Sequence, residues 1–216
     1  MADGFLERSF EEYKNKKNSL YKVGEKSLIS LLKKNRSYRG YDKRYEVSLE
    51  ILEKIVAVNE LIPSAKNQQA LRFLLVTKDS GASFVLDNIK LGGMLAELNL
   101  PFKGTEPEAF IIVCSTLPES KMLHIDVGIS IQSMLLRAVE LGYNGIVIGA
   151  FNAKNIQEKF NLDLQPAMIV AIGKGSEKIM LKSISIEDEK SYYRENDIHI
   201  VPKISWKELI IHSPNI

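Results

Sequence analysis

The sequence lacks the residues that build disulfide frameworks and zinc sites. It contains one cysteine, Cys114, among 216 residues, so no intrachain disulfide forms and no cysteine cluster is present to bind zinc. The three histidines, at positions 124, 199 and 212, are scattered and form no pair at metal-ligand spacing. We therefore predict no metal site, and we expect Cys114, which lies in an apolar run, to be an inert core thiol.

The sequence also lacks long apolar runs and an excess of one charge. No segment reaches the ~18 consecutive apolar residues of a membrane span, and the first residues lack the pattern of a signal peptide. Lys plus Arg number 29 and Asp plus Glu 27, a net charge of +2, which is too even for a protein that mainly grips nucleic acid. We expect neither a membrane nor a nucleic-acid partner, and a reducing, most simply cytoplasmic, compartment.

Three common catalytic signatures are absent. The sequence has no GxGxxG fingerprint and no GxxxxGK[ST] loop, which disfavours Rossmann dinucleotide binding and P-loop hydrolysis. It also has no GxSxG, which lowers the expectation of an α/β hydrolase.

What is present indicates a globular chain with a sizeable core. Hydrophobic residues make up 45% and charged residues 26%, and the length suits one large domain or two small, closely joined ones. Apolar periodicity predicts alternating strands and helices, and hence an α/β or α+β sandwich. The predicted helices cover 28–32, 48–62, 81–98, 122–141 and 153–160, and the predicted strands cover 73–77, 109–115, 144–148 and 167–172.

Two segments of this pattern carry further expectations. The helix at 122–141 is apolar on most sides, so it must be enclosed within the fold or at a subunit interface. Near its start, we expect Asp126 to complement the helix dipole. After Gly175 the chain loses periodicity, and we expect this tail to wrap over the core or over a neighbouring chain.

The first candidate site is a basic segment at residues 33–44. It contains six cations and one carboxylate within twelve residues. Arg36 and Arg39 offer planar charged donors and Ser37 a hydroxyl, a combination that suits a phosphate monoester. A solvated basic turn between two helices explains the same residues equally well.

Two further segments are candidates for ligand contacts. The run from Pro63 to Gln69, between a helix and a strand, presents hydrogen-bonding groups able to hold a polyhydroxylated chain or a heterocycle edge, although a plain helix stop is the commoner explanation. Gly149 and Ala150 have little bulk, so a flat ligand could approach their backbone amides. A strand end that turns on a glycine is the alternative.

Together, in this order, these segments resemble the nitroreductase family of flavin mononucleotide (FMN) enzymes. The run from Asn35 to Arg39 is similar to the family's Arg-Arg-Ser-x-Arg, with Asn35 in place of the first arginine. Residues 63–69 match Pro-Ser-x-x-Asn-x-Gln at every specified position. The run Asp126-Val127-Gly128 with the later Gln132, and the Leu-Gly-Tyr-Asn-Gly of 141–145, also resemble the family pattern.

The resemblance implies an α+β fold in which helices sandwich a mixed sheet, assembled as an intertwined homodimer. It divides the chain into an N-terminal helical arm at 1–27, an FMN-binding domain at 28–175, and a C-terminal tail at 176–216 that wraps the core or the partner subunit.

The resemblance also implies roles for individual residues. Arg36, Ser37 and Arg39 would hold the flavin phosphate and nearby ribityl oxygens. The ribityl chain and the isoalloxazine edge would be contacted by the 63–69 segment, usually from the other subunit, through Pro63, Ser64, Ala65, Asn67 and Gln69. The backbone amides of Gly149 and Ala150 would face flavin N5 and O4. In the tail, Arg194, His199 and Lys203 are candidates for a further phosphate cation, and Lys203 is favoured.

The implied activity is ping-pong transfer of electrons from NADH or NADPH, through FMN, to a nitroaromatic, a quinone or a similar small acceptor. The flavin supplies the chemistry, so no side chain is predicted to be catalytic. Three alternatives stay open: a specialised relative such as a reductive dehalogenase, a flavin-binding or regulatory protein without turnover, and a plain interaction domain.

Overall fold

The computed structural model describes residues 27–93 and 98–211 and shows an α+β fold. It therefore confirms the predicted mixture of helices and sheets. The described helices are α1 (Leu28–Lys34), α2 (Leu49–Val56), α3 (Ala82–Asp87), α4 (Lys121–Glu140) and α5 (Ala153–Lys159). The described strands are β1 (Leu71–Val76), β2 (Ala109–Ser115), β3 (Asn144–Ile148), β4 (Gln165–Gly173), β5 (Lys178–Ile184), β6 (Tyr193–Glu195) and β7 (Ile198–Ile204). Short 3₁₀ turns include Ala57–Glu60 and Ala65–Asn67.

The main sheet has the strand order β1-β2-β4-β3, and all of its pairs are antiparallel. β2 and β4 are the central strands, and every residue of β2 is buried. β3 lies at one edge, where it pairs with β4 in the register Ile146↔Ala171. This edge strand ends at Ile148, directly before the candidate residues Gly149 and Ala150.

Both faces of the sheet are covered, because alternate residues of β2 point to opposite sides. Ile111 and Val113 pack with residues of α2 and α4 in one apolar cluster. Phe110 and Ile112 pack with residues of α3 and α5 in a second cluster. Because β2 is apolar on both of its faces, each face of the sheet must be covered, and helices cover both.

The long helix α4 begins at its N-cap Ser120, whose hydroxyl accepts a hydrogen bond from the backbone N–H of Leu123 at 3.2 Å. By length and composition α4 could also cross a membrane, but 56% of its apolar window is buried inside the fold, as in a core helix. The fold encloses part of the surface of α4 but leaves Met122 47% exposed and Ile125 46% exposed. Enclosure of this remaining surface at a subunit interface stays a prediction.

Two sequence expectations need correction or lie outside the described residues. Where the sequence predicts a helical stretch over 81–98, the structure has α3, which ends at Asp87 and is capped by the backbone N–H of Asn88, and residues 88–92 are not helical. Residues 94–97 are not described. The predicted N-terminal arm at 1–27 lies, except for its last residue, outside the described ranges.

The tail forms a second sheet that the sequence did not reveal. Its strand order is β5-β7-β6, with β5 parallel to β7 and β6 antiparallel to it. Five of the seven residues of β5 are exposed. Its apolar and polar residues do not alternate as they do in a half-buried strand, so the sequence carries no strand pattern there.

The segment 37–41 connects the two sheets. On one side, Ser37 forms a bridge with Gly145 of β3. On the other side, Tyr41 forms a bridge with Gly175, and the N–H of Ser176 donates to the carbonyl of Gly40 at 3.1 Å. The basic segment is thereby held between the edge strand of the core and the start of the tail.

Candidate functional site

A cavity of about 390 Å³ lies where this basic segment, α4, β3 and the tail sheet meet. The core contributes Asn35, Arg36, Ser37, Arg39, Gln132, Leu135, Gly145, Ile146 and Val147, and the tail contributes Ile179, Tyr192, His199, Val201 and Lys203. The lining therefore includes the side chains of two arginines and a lysine, and no carboxylate. A cavity with this excess of positive charge attracts an anion.

Arg36 is held against the end of α1. Its Nη2 donates to the carbonyl of Leu32 at 2.8 Å, in the last turn of that helix, where a cation is favoured by the helix dipole. Burial lowers the pKa of Arg36 from its usual value. The guanidinium is nevertheless charged at neutral pH, because the usual pKa of arginine lies far above 7. Its buried Nε has no hydrogen-bond partner among the described residues.

Arg39 is almost completely buried, with 7% of its surface exposed. Its Nη1 donates to the carbonyl of Ser37 at 3.1 Å and lies 3.4 Å from Nε2 of His199. The guanidinium stacks over Tyr192, 4.8 Å from the ring centroid, a geometry typical of a cation–π contact. Its Nε also has no partner in the described part of the chain.

His199 supplies a third buried donor. Burial, and then the charge of Arg39, lower the pKa of His199, so its ring is neutral at pH 7. Because a guanidinium only donates, Nε2 of His199 accepts and Nδ1 carries the hydrogen, a tautomer assigned from the contact. This Nδ1 is buried without a partner within the described ranges.

These unpartnered donors test whether the site fits a phosphate. A buried donor left unsatisfied costs about 1–3 kcal/mol, and such groups in a native fold call for an explanation. Arg36, Arg39 and His199 each present one in or beside the cavity. A phosphate group, with several strong acceptor oxygens and negative charge, suits the electrostatics of this cavity and is the kind of acceptor that such donors bind.

The cavity also distinguishes the three tail candidates. His199 and Lys203 line it, and Lys203 is exposed. Arg194 is not among the lining residues. It forms an ion pair with Glu177, and its guanidinium lies 5.4 Å from the ring centroid of Phe102. A phosphate contact by Lys203 stays a prediction that this placement favours.

Asn35, which stands in place of an arginine in the resembling motif, has a structural partner. Its Nδ2 donates to Oε1 of Gln132 at 3.3 Å. This contact connects the basic segment to α4, and both residues of the pair line the cavity. Lys203 adds the positive charge of its side chain to the lining of the same cavity.

The open edge of β3 continues from the cavity toward Gly149. The carbonyl of Gly145 points outward, because it accepts from the N–H of Tyr38 at 3.3 Å. Alternate residues of a strand face the same edge, so the backbone groups of Val147 also point outward. Gly149 is exposed and lies about 13 Å from Gly145 at the usual strand rise, and Ala150 follows it. Neither is among the cavity lining, and the carbonyl of Ala150 accepts from Lys90 N–H at 2.8 Å.

The 63–69 segment lies at a different place. Pro63, Ser64 and Gln69 line a separate cavity of about 280 Å³ that shares no residue with the first. Each cavity touches α4, the first through Gln132 and the second through Asp126. Six positions along a helix correspond to about 9 Å of rise and a rotation to faces about 120° apart. Within one chain, the two predicted groups of flavin contacts therefore line different cavities, on different sides of α4.

The 63–69 loop is held in a strained conformation. Three of its non-glycine residues, Lys66, Asn67 and Gln69, have φ of 53°, 54° and 47°, in the left-handed region that side chains disfavour. Strain of this kind persists only where neighbouring contacts enforce it, and it clusters at ligand-binding sites.

Asp126 and Ser64 provide the contacts that hold the loop. Oδ1 of Asp126 accepts from the N–H of Ala65 at 2.9 Å, and Oγ of Ser64 accepts from the N–H of Gln69 at 3.1 Å. Asp126 is buried, with 6% exposure. The interpretation that Asp126 only complements the helix dipole was therefore incomplete, because its carboxylate anchors the loop.

Among the residues that sequence reasoning did not identify are Glu177 and Tyr192. Neither belongs to a recognisable motif, and both act through partners far away in the chain. Elsewhere in the described residues, no group of three or more metal-ligating side chains is found. Cys114 is buried in β2, and burial raises the pKa of its thiol to about 11, in accord with an inert thiol.

Similarity to known proteins indicates the family of this chain. The model of the nitroreductase family matches residues 32–174. YdgI of Bacillus subtilis, named as an NAD(P)H nitroreductase, is 26% identical over 186 residues, covering 69% of this chain and 89% of that protein. A nitroreductase family protein of Clostridium difficile is 28% identical, with a TM-score of 0.56 and coverage of 70% and 86% of the two chains.

A further solved structure covers more of the chain. It is a nitroreductase from Desulfovibrio desulfuricans in complex with FMN, 20% identical, with a TM-score of 0.62 and coverage of 89% of this chain and all of that one. The family match spans well over half of the chain, and the chain therefore belongs to the nitroreductase family. Its general class is that of the flavin oxidoreductases.

Proposed function

We propose that this protein is an FMN-dependent oxidoreductase that transfers electrons from NADH or NADPH to a small acceptor, such as a nitroaromatic or a quinone, in a ping-pong mechanism. The observation that carries the proposal is the cationic cavity in which Arg36, Arg39 and His199 present buried donors without partners. Names of relatives support the same choice, since one is an NAD(P)H nitroreductase and another was solved with FMN.

The residues suggest how the cofactor would be held. Arg36, Ser37 and Arg39, with Lys203, would bind the phosphate in the cavity. The flavin ring would follow the open edge of β3 toward the backbone amides of Gly149, about 13 Å from Gly145, and of Ala150 beyond it. Amides aimed at the ring edge stabilise negative charge on it, an effect of the oxyanion-hole type.

The chemistry itself belongs to the cofactor. When bound, FMN supplies hydride acceptance from a reduced nicotinamide and electron transfer to the second substrate. The protein's residues bind the phosphate, orient the ring and leave a face open to substrates. We therefore assign no acid or base role to any side chain of this chain.

We propose further that the working unit is a homodimer in which the 63–69 loop of one copy completes the flavin site of the other. The two groups of predicted contacts line separate cavities on different sides of α4, so a second copy is needed to join them. Large apolar side chains near this helix are exposed, with Leu28 and Ile29 at 60%, Met122 at 47% and Ile125 at 46%. Exposed apolar side chains of this size on two neighbouring helices favour a surface that packs against another chain.

The visible spectrum of the purified protein tests the proposal. We expect a yellow protein, or one that becomes yellow on reconstitution with FMN, whose absorbance near the flavin band is lost when NADH or NADPH is added without oxygen. Return of the band on adding a nitroaromatic or a quinone would identify the acceptor class, with a halogenated aromatic as the comparison.

Other outcomes contradict the proposal. A protein that binds FMN but is not bleached by either nicotinamide is a flavin-binding protein without this turnover. A protein that stays colourless after incubation with excess FMN is not a flavin enzyme, and the cavity then serves another anion.

A further inference from the structure

Glu177 occupies an unusual place for a carboxylate, directly behind the cationic cavity. Its Oε2 accepts hydrogen bonds from the backbone N–H groups of Arg39 and of Gly40, the latter at 3.1 Å. Its Oε1 accepts from Nη2 of Arg194. Only 8% of the Glu177 side chain is exposed, and it is not among the residues that line the cavity.

From this arrangement we propose that Glu177 and Arg194 form a positioning pair that gives the site its preference for a phosphorylated flavin. The inference rests on the proposed function, because it concerns the phosphate end of the same site. The pair does not touch the ligand. It acts through the backbone of Arg39 and Gly40, which it holds in the orientation that aims the Arg39 side chain into the cavity.

Contacts on both sides of the basic segment support this role. The N–H of Tyr38 donates to the carbonyl of Gly145 on the β3 side. One residue later, the N–H of Arg39 turns to Glu177 on the tail side. With its backbone held between two sheets, Arg39 has its guanidinium placed against both Tyr192 and His199. Losing the Glu177 contacts would free this backbone and leave two peptide N–H groups without partners.

Charge explains why Arg194 belongs to the pair. A bare carboxylate behind the cavity would repel a phosphate dianion and would be costly to bury without a partner. The guanidinium of Arg194 neutralises it, and the ring of Phe102, 5.4 Å away, braces that guanidinium. Arg194 is therefore used to balance Glu177, which agrees with its absence from the lining of the cavity.

A purely structural role for the pair would have a different consequence. If Glu177 only stabilised the fold, its loss would weaken all flavin binding alike. If it positions the phosphate-binding segment, its loss weakens binding of FMN but leaves binding of riboflavin, which has no phosphate, nearly unchanged. The ratio of the two dissociation constants separates these cases.

The experiment compares the full-length apoprotein with three variants: Glu177→Ala, Arg194→Gln, and the double variant Glu177→Gln with Arg194→Gln. Titration with FMN and with riboflavin, followed by the quenching of flavin fluorescence, gives both dissociation constants. Thermal unfolding of each apoprotein reports stability separately. Glu187→Ala, at an exposed glutamate of the same tail, is the matched control.

We expect Glu177→Ala and Arg194→Gln each to reduce the preference for FMN over riboflavin by about tenfold or more, the effect of one charge-assisted contact. The double variant replaces the ion pair by two amides that can bond to each other. It should restore the preference to within about threefold of the unaltered protein. Glu187→Ala should change neither constant.

The outcomes keep the two proposals apart. If the unaltered protein prefers FMN and Glu177→Ala keeps that preference, the positioning role is wrong and the proposed function stands. If the unaltered protein binds neither flavin, the proposed function fails, and the positioning role fails with it. If Glu177→Ala does not fold, Arg194→Gln carries the same test, and an unchanged preference there overturns the pair.

Discussion

Nη1 of Arg39 lies 3.4 Å from Nε2 of His199, although 160 positions separate the two residues in the chain. The contact joins the basic segment that follows α1 to strand β7 of the tail. Because Arg39 can only donate, His199 accepts and is held in its neutral form. The same contact therefore shapes the cavity and makes the stability of the protein depend on the protonation of His199.

The first prediction concerns pH. The pKa of His199 lies below its ordinary value of 6.5 in the folded protein, through burial and then the charge of Arg39. As pH falls below 6.5, the unfolded chain takes up a proton that the folded chain refuses, so the free energy of unfolding decreases. We expect the melting temperature of the apoprotein to fall between pH 7.5 and pH 5 more steeply than that of His199→Gln. Parallel curves would mean that His199 is not held neutral by the fold.

The second prediction concerns the phosphate contacts. Replacing Arg36 and Arg39 together by alanine removes two charge-assisted contacts, each worth about 1.5–3 kcal/mol, so FMN should bind at least about a hundredfold more weakly. Equilibrium dialysis against FMN measures the change, and apoprotein melting shows whether the fold survives. Arg44→Ala is the control, since this guanidinium is 85% exposed and pairs with Asp42. Full flavin occupancy in the folded double variant would refute the assignment.

The third prediction concerns the anchor of the 63–69 loop. Asp126→Ala removes the acceptor for the N–H of Ala65 and leaves that donor unsatisfied, at a cost of about 1–3 kcal/mol. The left-handed conformations of Lys66 and Asn67 then lose their support, so trypsin should cleave after Lys66 faster than in the unaltered protein. Asp126→Asn keeps an oxygen acceptor and should resist cleavage nearly as well. Equal cleavage rates in the alanine variant would show that the loop needs no such anchor.

The fourth prediction concerns assembly. Ile125→Glu places a charge on the exposed apolar face of α4, where burial against a second copy would be costly. We expect sedimentation to show a shift from dimer to monomer, with loss of bound flavin in parallel, because each site would lose the partner's loop. Ile125→Leu preserves the apolar surface and should stay dimeric. If the glutamate variant remains a dimer with full flavin content, the dimer interface does not include this face of α4.

The elements of the core were largely predictable from local patterns. The strands predicted at 109–115 and 144–148 have those bounds in the structure, because a run of apolar residues long enough for a buried strand is a local signal. Apolar periodicity predicts an α/β or α+β fold, and the resemblance of four short segments to the nitroreductase family indicates the family. The match of 63–69 to its motif was specific even though nothing in the sequence showed where that loop lies.

For the tail, the sequence predicted a segment without periodicity but not the strands that it forms. Its sheet is exposed on most of β5, so apolar residues do not mark the strands, and the parallel pairing of β5 with β7 joins segments distant in the chain. Glu177 gave no signal, since its partners are mainly backbone N–H groups, which every sequence has.

Sequence by itself determined which residues form the core strands and which motifs the chain carries, because both depend on neighbours a few positions apart. Tertiary structure alone decided which of the three tail candidates line the cavity with Arg36, namely His199 and Lys203 but not Arg194. It alone decided that Asp126 anchors a strained loop, and that this loop lies on another side of α4. The physical reason is that such contacts arise from how strands pair and helices pack over long separations, and their geometry is not encoded in any local pattern of residues.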